Sequence, residues 1–174
     1  IILGAALLVP DGIRGAMMHI PFHGFMKITL FLCAGAITVV TGKKNISEMA
    51  GVGKTMPRTM LAFTIGAFGM SGIPPAVGLI SKWFLCQGAL KMGEIPELLE
   101  AREILFLFII LAASLLDVVY FFPIIHTAFF KEPEGAEQEV EVQEAPLFML
   151  IPLTITAVFS IIFLLDFILR LNIL

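Results

Sequence analysis

The sequence predicts an all-α fold, a polytopic transmembrane helix bundle with about four spanning helices. Apolar residues make up 59% of the 174 residues and charged residues only 14%, whereas soluble domains are about 25% charged. Mean hydropathy is +1.00. A chain this short cannot bury so much apolar surface, so the surplus must face lipid or other subunits. Four apolar runs are long enough to cross a bilayer as helices, and none shows the alternation typical of a β-barrel.

Composition also excludes several functions. The net charge is -3 and there is no basic stripe, which argues against nucleic-acid binding. The two cysteines, Cys33 and Cys86, are too few for a disulfide framework or a four-ligand zinc site. Residues 51–55 end like a phosphate-binding loop but lack its first glycine at the required spacing. No cofactor is therefore expected.

The apolar runs and the polar loops between them define a single membrane domain over residues 1–174. Residues 1–9 are too short to span a bilayer, so we expect the tail of a helix and a chain that is the C-terminal portion of a longer fold. Residues 131–145 carry six glutamates against one lysine, and we interpret them as a solvated loop rather than an ion-collecting one. The predicted spans are residues 16–40, 59–90, 104–130 and 147–169.

The first span contains three ionisable residues, His19, His23 and Lys27. Their i, i+4, i+8 spacing places them in one stripe on a helix face. A lysine as deep as Lys27 costs about 2.5–3.5 kcal/mol on insertion scales, so it should face protein or water. The alternative is an interfacial histidine pair with a lysine that reaches the membrane surface. We favour a proton relay, because the three residues share a face and two of them are deep.

The second span is interrupted by Gly72, Pro74 and Pro75. Prolines cannot continue the helical hydrogen-bond ladder, so we predict two half-helices that meet at membrane depth. Such breaks mark ion sites in transporters. Lys82 lies seven residues after Pro75, about two turns, so its ammonium can reach a cavity beside the break. The alternative is a structural kink whose lysine pairs with an acid on a neighbouring helix.

The third span has a carboxylate, Asp117, near its middle. An acid at that depth must be protonated, paired or hydrated. Lys82 and Lys27 are both possible partners. His126 lies nine residues further on, so it points away from Asp117, and we expect it at the membrane interface.

Four segments together resemble a known family, the proton-conducting antiporter-like membrane subunits. These subunits occur in respiratory complex I, in Mrp-type multisubunit sodium/proton antiporters and in membrane-bound hydrogenases. The segment around the helix break is the most specific of the four. The segments are HGFMKITLFLCAGAI (residues 23–37), MAGVGKTMPRT (49–59), GMSGIPPAVGLISKWFL (69–85) and YFFPIIHTAFF (120–130).

The resemblance implies a role for each ionisable residue. Lys82 would be the lysine of the family's broken helix, and His19, His23 and Lys27 would belong to the polar axis leading to it. Asp117 stands where the family often has asparagine or another polar residue. The family is built from two inverted repeats, and this chain is similar to its last four helices.

The function implied is translocation of protons, or exchange of Na⁺ for H⁺, through buried lysine and histidine residues. The chain would lie in the lipid bilayer of a prokaryotic inner membrane with other membrane subunits as partners. No bond is made or broken in this chain, so any redox reaction, such as that of an NADH:quinone oxidoreductase, belongs to the complex. The alternative is a non-conducting structural subunit of a respiratory or hydrogenase complex.

Overall fold

The computed structural model describes residues 1–91, 100–132 and 142–171, and the regular elements in these ranges are all helical. The α-helices are α1 (Ile2–Ala6), α2 (Pro10–Thr41), α3 (Val52–Thr55), α4 (Pro57–Ser71), α5 (Gly78–Lys91), α6 (Glu100–Phe130) and α7 (Leu147–Leu171). A short 3₁₀ helix, Ile46–Met49, lies in the loop between α2 and α3.

Within the described residues, three helical segments are long and apolar enough to cross a membrane: Pro10–Thr41, Ile104–Phe130 and Leu147–Leu169. The fourth predicted span is two helices, α4 of 15 residues and α5 of 14. Each is roughly 20 Å long at 1.5 Å per residue, shorter than a hydrocarbon core of about 30 Å. The predicted all-α transmembrane bundle and its broken helix are confirmed.

Helix α2 extends six residues before the start of the predicted first span. Helix α2 begins at Pro10, not at residue 16, after Val9 in an extended conformation. Proline fits the first helical position because its missing N–H would be unpaired there anyway. Asp11 in the first turn also suits the positive end of the helix dipole. Asp11 and Arg14 lower the mean hydropathy of this turn, so a search for apolar runs does not include it.

Helix α2 is the central element, packing against α4, α5 and α7. Its contact with α5 is unusually close, because both helices present glycines to each other. A Cβ atom added at Gly15 would lie 2.9 Å from the Leu85 nitrogen, and one added at Gly88 would lie 2.5 Å from the Gly12 nitrogen. We call Gly12, Gly15 and Gly88 the glycine seam. The seam fixes α5 on α2 with little freedom to shift.

The expectation of a solvated acidic loop was wrong for Glu144. Residues 133–141 lie outside the described part of the chain. Glu144 is half-buried, and its carboxylate accepts hydrogen bonds from the Arg58 backbone N–H at 2.5 Å and from the Thr59 hydroxyl at 3.0 Å. The carboxylate thereby satisfies the Arg58 N–H, one of the otherwise unpaired N–H groups at the start of α4.

Candidate functional site

The helix break between α4 and α5 is built by one glycine and two prolines. Gly72 ends α4 in a left-handed conformation with φ 79°, and its N–H donates to the Gly69 oxygen at 3.0 Å. Pro74 and Pro75 follow, joined by a cis peptide bond. The carbonyl of Met70 would normally accept a bond from the residue four positions on, but that residue is Pro74 and has no N–H. The break therefore leaves the Met70 carbonyl available.

Lys82 reaches back from α5 to this carbonyl. Its Nζ donates to the Met70 oxygen at 2.7 Å and to Ser114 Oγ at 2.8 Å. The same Nζ lies 3.5 Å from Asp117 Oδ2, and the lysine side chain is only 17% exposed. The three N–H donors of the ammonium therefore have three acceptors. Lys82 thus reaches the backbone carbonyl at the break.

Gly72 is required at the break for two reasons. Its left-handed φ is strained for residues with a Cβ. A Cβ there would also lie 2.8 Å from the Lys82 Cδ atom, so a larger residue would displace the lysine chain. The missing side chain gives Lys82 its route to the Met70 carbonyl.

The ammonium lies at the negative end of a helix dipole. The Met70 oxygen belongs to the last turn of α4, where backbone carbonyls point out of the helix and favour a cation. Half-helix ends of this kind coordinate ions in transporters whose helices are broken in the membrane. The break thus supplies an electrostatic environment for a positive charge within an apolar bundle.

Helix α6 supplies the other two acceptors from one face. Asp117 pairs with Lys82 and not with Lys27, which resolves the choice that the sequence left open. Ser114 lies one turn before Asp117, and its hydroxyl also donates to the Ile110 oxygen at 3.0 Å. The serine therefore both accepts from the lysine and donates to the backbone of its own helix.

The two histidines of α2 lie against the lysine-bearing helix. His19 Nδ1 is 2.9 Å from Ser81 Oγ, and Ser81 immediately precedes Lys82 in α5. The rings of His19 and His23 are stacked with their centroids 5.2 Å apart. The predicted stripe therefore turns its histidine end toward the second span.

Lys27 lies at the edge of a cavity of about 450 Å³ between α2, α4, α6 and the loop after α2. Lys44 and Tyr120 contribute polar groups to the cavity lining, and Met70 also lines it. The Lys27 side chain is exposed. His126, in contrast, is exposed on α6 with its ring stacked on Phe130, at 5.4 Å between centroids.

Sequence reasoning missed three groups of the site: the Met70 carbonyl, Ser114 and Ser81. Ser114 had a usable signal, because it lies three residues before Asp117 and therefore on the same helix face. The Met70 carbonyl could have been found by asking which backbone acceptors the two prolines leave without a donor. Ser81 gave no signal beyond its place next to Lys82.

A second cluster of charges lies at the opposite end of α5. Lys91 Nζ contacts Asp11 Oδ2, and Arg14 lies 3.6 Å from the other carboxylate oxygen. The Asp11 side chain is only 13% exposed. This cluster joins the end of α5 to the start of α2 beside the glycine seam.

Metal ligands do not converge anywhere in residues 1–91, 100–132 and 142–171. No group of three or more histidine, cysteine, aspartate or glutamate side chains there could hold a metal ion. The chemistry that the site offers is that of a charged lysine with oxygen acceptors.

The comparison with protein families assigns the chain to one of them. The family described as "NADH:quinone oxidoreductase/Mrp antiporter, TM" matches residues 1–101, more than half of the chain. The chain belongs to this family. The match includes α2, the helix break and Lys82, so the resemblance read from the sequence is confirmed. The predicted localisation is also confirmed: the chain is part of an integral membrane protein of a bacterial or archaeal cell membrane.

Individual relatives are similar over most of this chain. NADH-quinone oxidoreductase subunit N of Desulforudis audaxviator is 34% identical over 168 residues, which cover 91% of this chain and 32% of the relative. A Na(+)/H(+) antiporter subunit of Alkalihalophilus pseudofirmus is 30% identical over 152 residues, which cover 87% of this chain and 19% of that relative. The chain thus spans about a third or less of these relatives' length.

A solved structure has the same fold. The Mrp complex from Dietzia sp. DQ12-45-1b contains a chain that matches with a TM-score of 0.79 and 22% sequence identity. The match covers 97% of this chain and 37% of that chain. The fold of this chain therefore occurs within a longer chain of that complex.

Proposed function

We propose that this chain is part of a membrane subunit that moves protons, or exchanges Na⁺ for H⁺, within a multisubunit complex in the lipid bilayer. The relatives named above are subunits of a quinone oxidoreductase and of a sodium/proton antiporter, which supports the class. The observation that carries the proposal is the Lys82 ammonium, held at a helix break by two neutral oxygens and one carboxylate.

Lys82 is the proton carrier in this proposal. Charged lysine is expensive in a membrane, and the Met70 carbonyl, Ser114 and Asp117 offset that cost. A hydroxyl is both donor and acceptor. When Lys82 loses its proton, the Ser114 hydroxyl can turn from the Ile110 carbonyl and donate to the neutral amine. Both protonation states of the lysine thus have a partner.

The acid partner alone does not distinguish transport from a structural kink, because both interpretations include an ion pair. The distances do support the transport proposal. The two shortest contacts of the ammonium, 2.7 and 2.8 Å, are to neutral oxygens, and the carboxylate lies further away at 3.5 Å. A purely structural ion pair gains most from its closest charged contact.

His19, His23 and Lys27 form the relay in this proposal. The stacked histidines join Lys82's helix at Ser81, and Lys27 follows His23 by one turn. Protons would pass between these groups through bound water, with Asp117 balancing the charge on Lys82. Redox chemistry, where the complex has it, would belong to other subunits.

Replacement of Lys82 in the intact complex tests the proposal. Lys82→Ala should abolish sodium- or pH-gradient formation in membrane vesicles while subunit content stays normal. Lys82→Arg should also fail, because guanidinium keeps its proton at any working pH. Lys54→Ala is the matched control, because Lys54 is an exposed lysine of the short helix α3 with a 3.9 Å ion pair to Glu132, and it should leave transport unchanged.

Each outcome has a defined meaning. Transport by Lys82→Ala would refute the proposal and favour a non-conducting structural subunit. Transport by Lys82→Arg would make the residue a fixed electrostatic anchor. Assays with and without Na⁺ would separate proton movement from Na⁺/H⁺ exchange.

A further inference from the structure

Helix α7 carries two hydroxyl side chains on one face. Thr156 and Ser160, one turn apart, both point into the bundle. The Thr29 hydroxyl of α2 donates to Thr156 Oγ1 at 2.7 Å. Ser160 is only 1% exposed, and its Oγ accepts a hydrogen bond from the Val77 backbone N–H at 3.4 Å. The last helix therefore contacts the break directly.

Val77 immediately precedes α5, so its N–H has no partner within that helix. The residue is fully buried, so solvent does not reach its N–H, and a buried backbone donor without a partner is costly. The break thus has two ends with unsatisfied backbone groups. Lys82 engages the carbonyl of Met70 on the α4 side, and Ser160 engages the N–H of Val77 on the α5 side.

We propose that Ser160 is a positioning residue that holds the start of α5 so that Lys82 meets its acceptors. Lys82 lies five residues after Val77, about one and a half turns, so a shift of the helix start displaces the ammonium from Met70 and Ser114. This inference rests on the proposed function of Lys82. It assigns to α7 a part in the site.

The titratable groups around Lys82 come from three helices. Asp117 faces it from α6, His19 and His23 from α2, and Cys86 from one turn along α5 itself. Helix α4 presents the backbone carbonyl of Met70. Moving the ammonium among these groups changes the balance between its charged and neutral forms. A positioning role therefore predicts a changed pH profile and not only a lower rate.

The pH profile of transport in vesicles containing the intact complex tests the inference. Ser160→Ala should displace the midpoint of this pH profile by about half a pH unit or more. Thr156→Val is the matched control, because it removes a half-buried α7 hydroxyl one turn away that does not touch the break, and the midpoint of its pH profile should match that of the unmodified complex. An undisplaced midpoint in Ser160→Ala, or an equal displacement in Thr156→Val, would overturn the positioning role.

Two further variants keep the test decisive. If the Ser160→Ala chain is absent from membranes, Ser160→Cys replaces it in the test, because cysteine is of similar size and a weaker acceptor. A displaced midpoint then supports the positioning role, and an unchanged midpoint rejects the inference. Lys82→Ala separates the two proposals. Transport by that variant refutes the proposed function, whereas its loss together with an unchanged midpoint in Ser160→Ala refutes only the positioning role.

Discussion

The two ends of α5 each join a lysine to an aspartate on another helix, but their surroundings differ. At the end of the helix, Lys91 contacts Asp11 directly, with the glycine seam packed beside the pair. At the break, Lys82 has its shortest contacts with a carbonyl and a hydroxyl, and Asp117 lies 3.5 Å away. One pair ties two helices together, whereas the other holds a charge mainly by neutral dipoles. Surroundings, and not residue types, distinguish a structural pair from a candidate transport site.

The largest effect is expected from filling the glycine seam. In Gly88→Ala the new Cβ would lie 2.5 Å from the Gly12 nitrogen, so α2 and α5 must separate, at a cost of about 1–3 kcal/mol or more. The amount of assembled chain in membranes and its thermal midpoint should both fall. The control is Gly35→Ala on α2, where no atom lies within 4 Å of the added Cβ. Equal behaviour of the two variants would show that the seam does not hold α5.

Neutralising Asp117 and Asp11 in turn should show that the lysine–aspartate pairs at the two ends of α5 have different roles. In Asp117→Asn the amide oxygen still accepts from Lys82, but the negative charge is lost. Transport per assembled complex should therefore fall about tenfold, which corresponds to about 1.4 kcal/mol. In Asp11→Asn the free energy of unfolding should fall by only about 1 kcal/mol, because Lys91 is 49% exposed. Transport per complex should stay within about twofold of the unmodified complex. Vesicle transport normalised to subunit content measures both. The reverse pattern would contradict the assignment of roles.

The smallest effect is expected at an exposed acid that makes only local contacts. The Asn45 side chain and the Lys44 and Asn45 backbone N–H groups donate to the Glu48 carboxylate and lower its pKa. These bonds are complete above the ordinary glutamate pKa and are lost as pH falls through the lowered one. Hydrogen exchange at the Lys44 and Asn45 amides should accelerate over that acidic window beyond the intrinsic pH dependence. The same acceleration in Glu48→Gln would exclude this carboxylate as its cause.

Hydropathy and proline placement made most of the fold predictable. A long apolar run has few options in a bilayer, so the spans and the break at Gly72, Pro74 and Pro75 follow from the sequence. The first turn of α2 was missed because Asp11 and Arg14 lower its hydropathy. Asp11 pairs with Arg14 and also with Lys91, and Lys91 is too far away in sequence for a local window to include it.

The candidate site was only partly predictable. Lys82 and Asp117 could be identified because a charge at membrane depth is unusual whatever its neighbours are. The choice between Lys27 and Lys82 as the partner of Asp117 depended on which helices pack together, which no local pattern contains. Serine is common in membrane helices, so only the contacts with Lys82 and Val77 distinguish Ser114 and Ser160 from other serines.

The hydrogen bond between Val77 and Ser160 joins residues 83 positions apart, and this separation bears on how the chain is made. At roughly 5–20 residues per second, a ribosome needs about 4–17 s to proceed from one residue to the other. During that interval α4 and α5 have been synthesised, but the helix that satisfies their break has not. Until α7 is made, the Val77 N–H lacks the Ser160 hydroxyl that accepts from it and needs another acceptor. Because Lys82 follows Val77 in the same half-helix, we expect α5 to reach its final position only after α7 has been inserted.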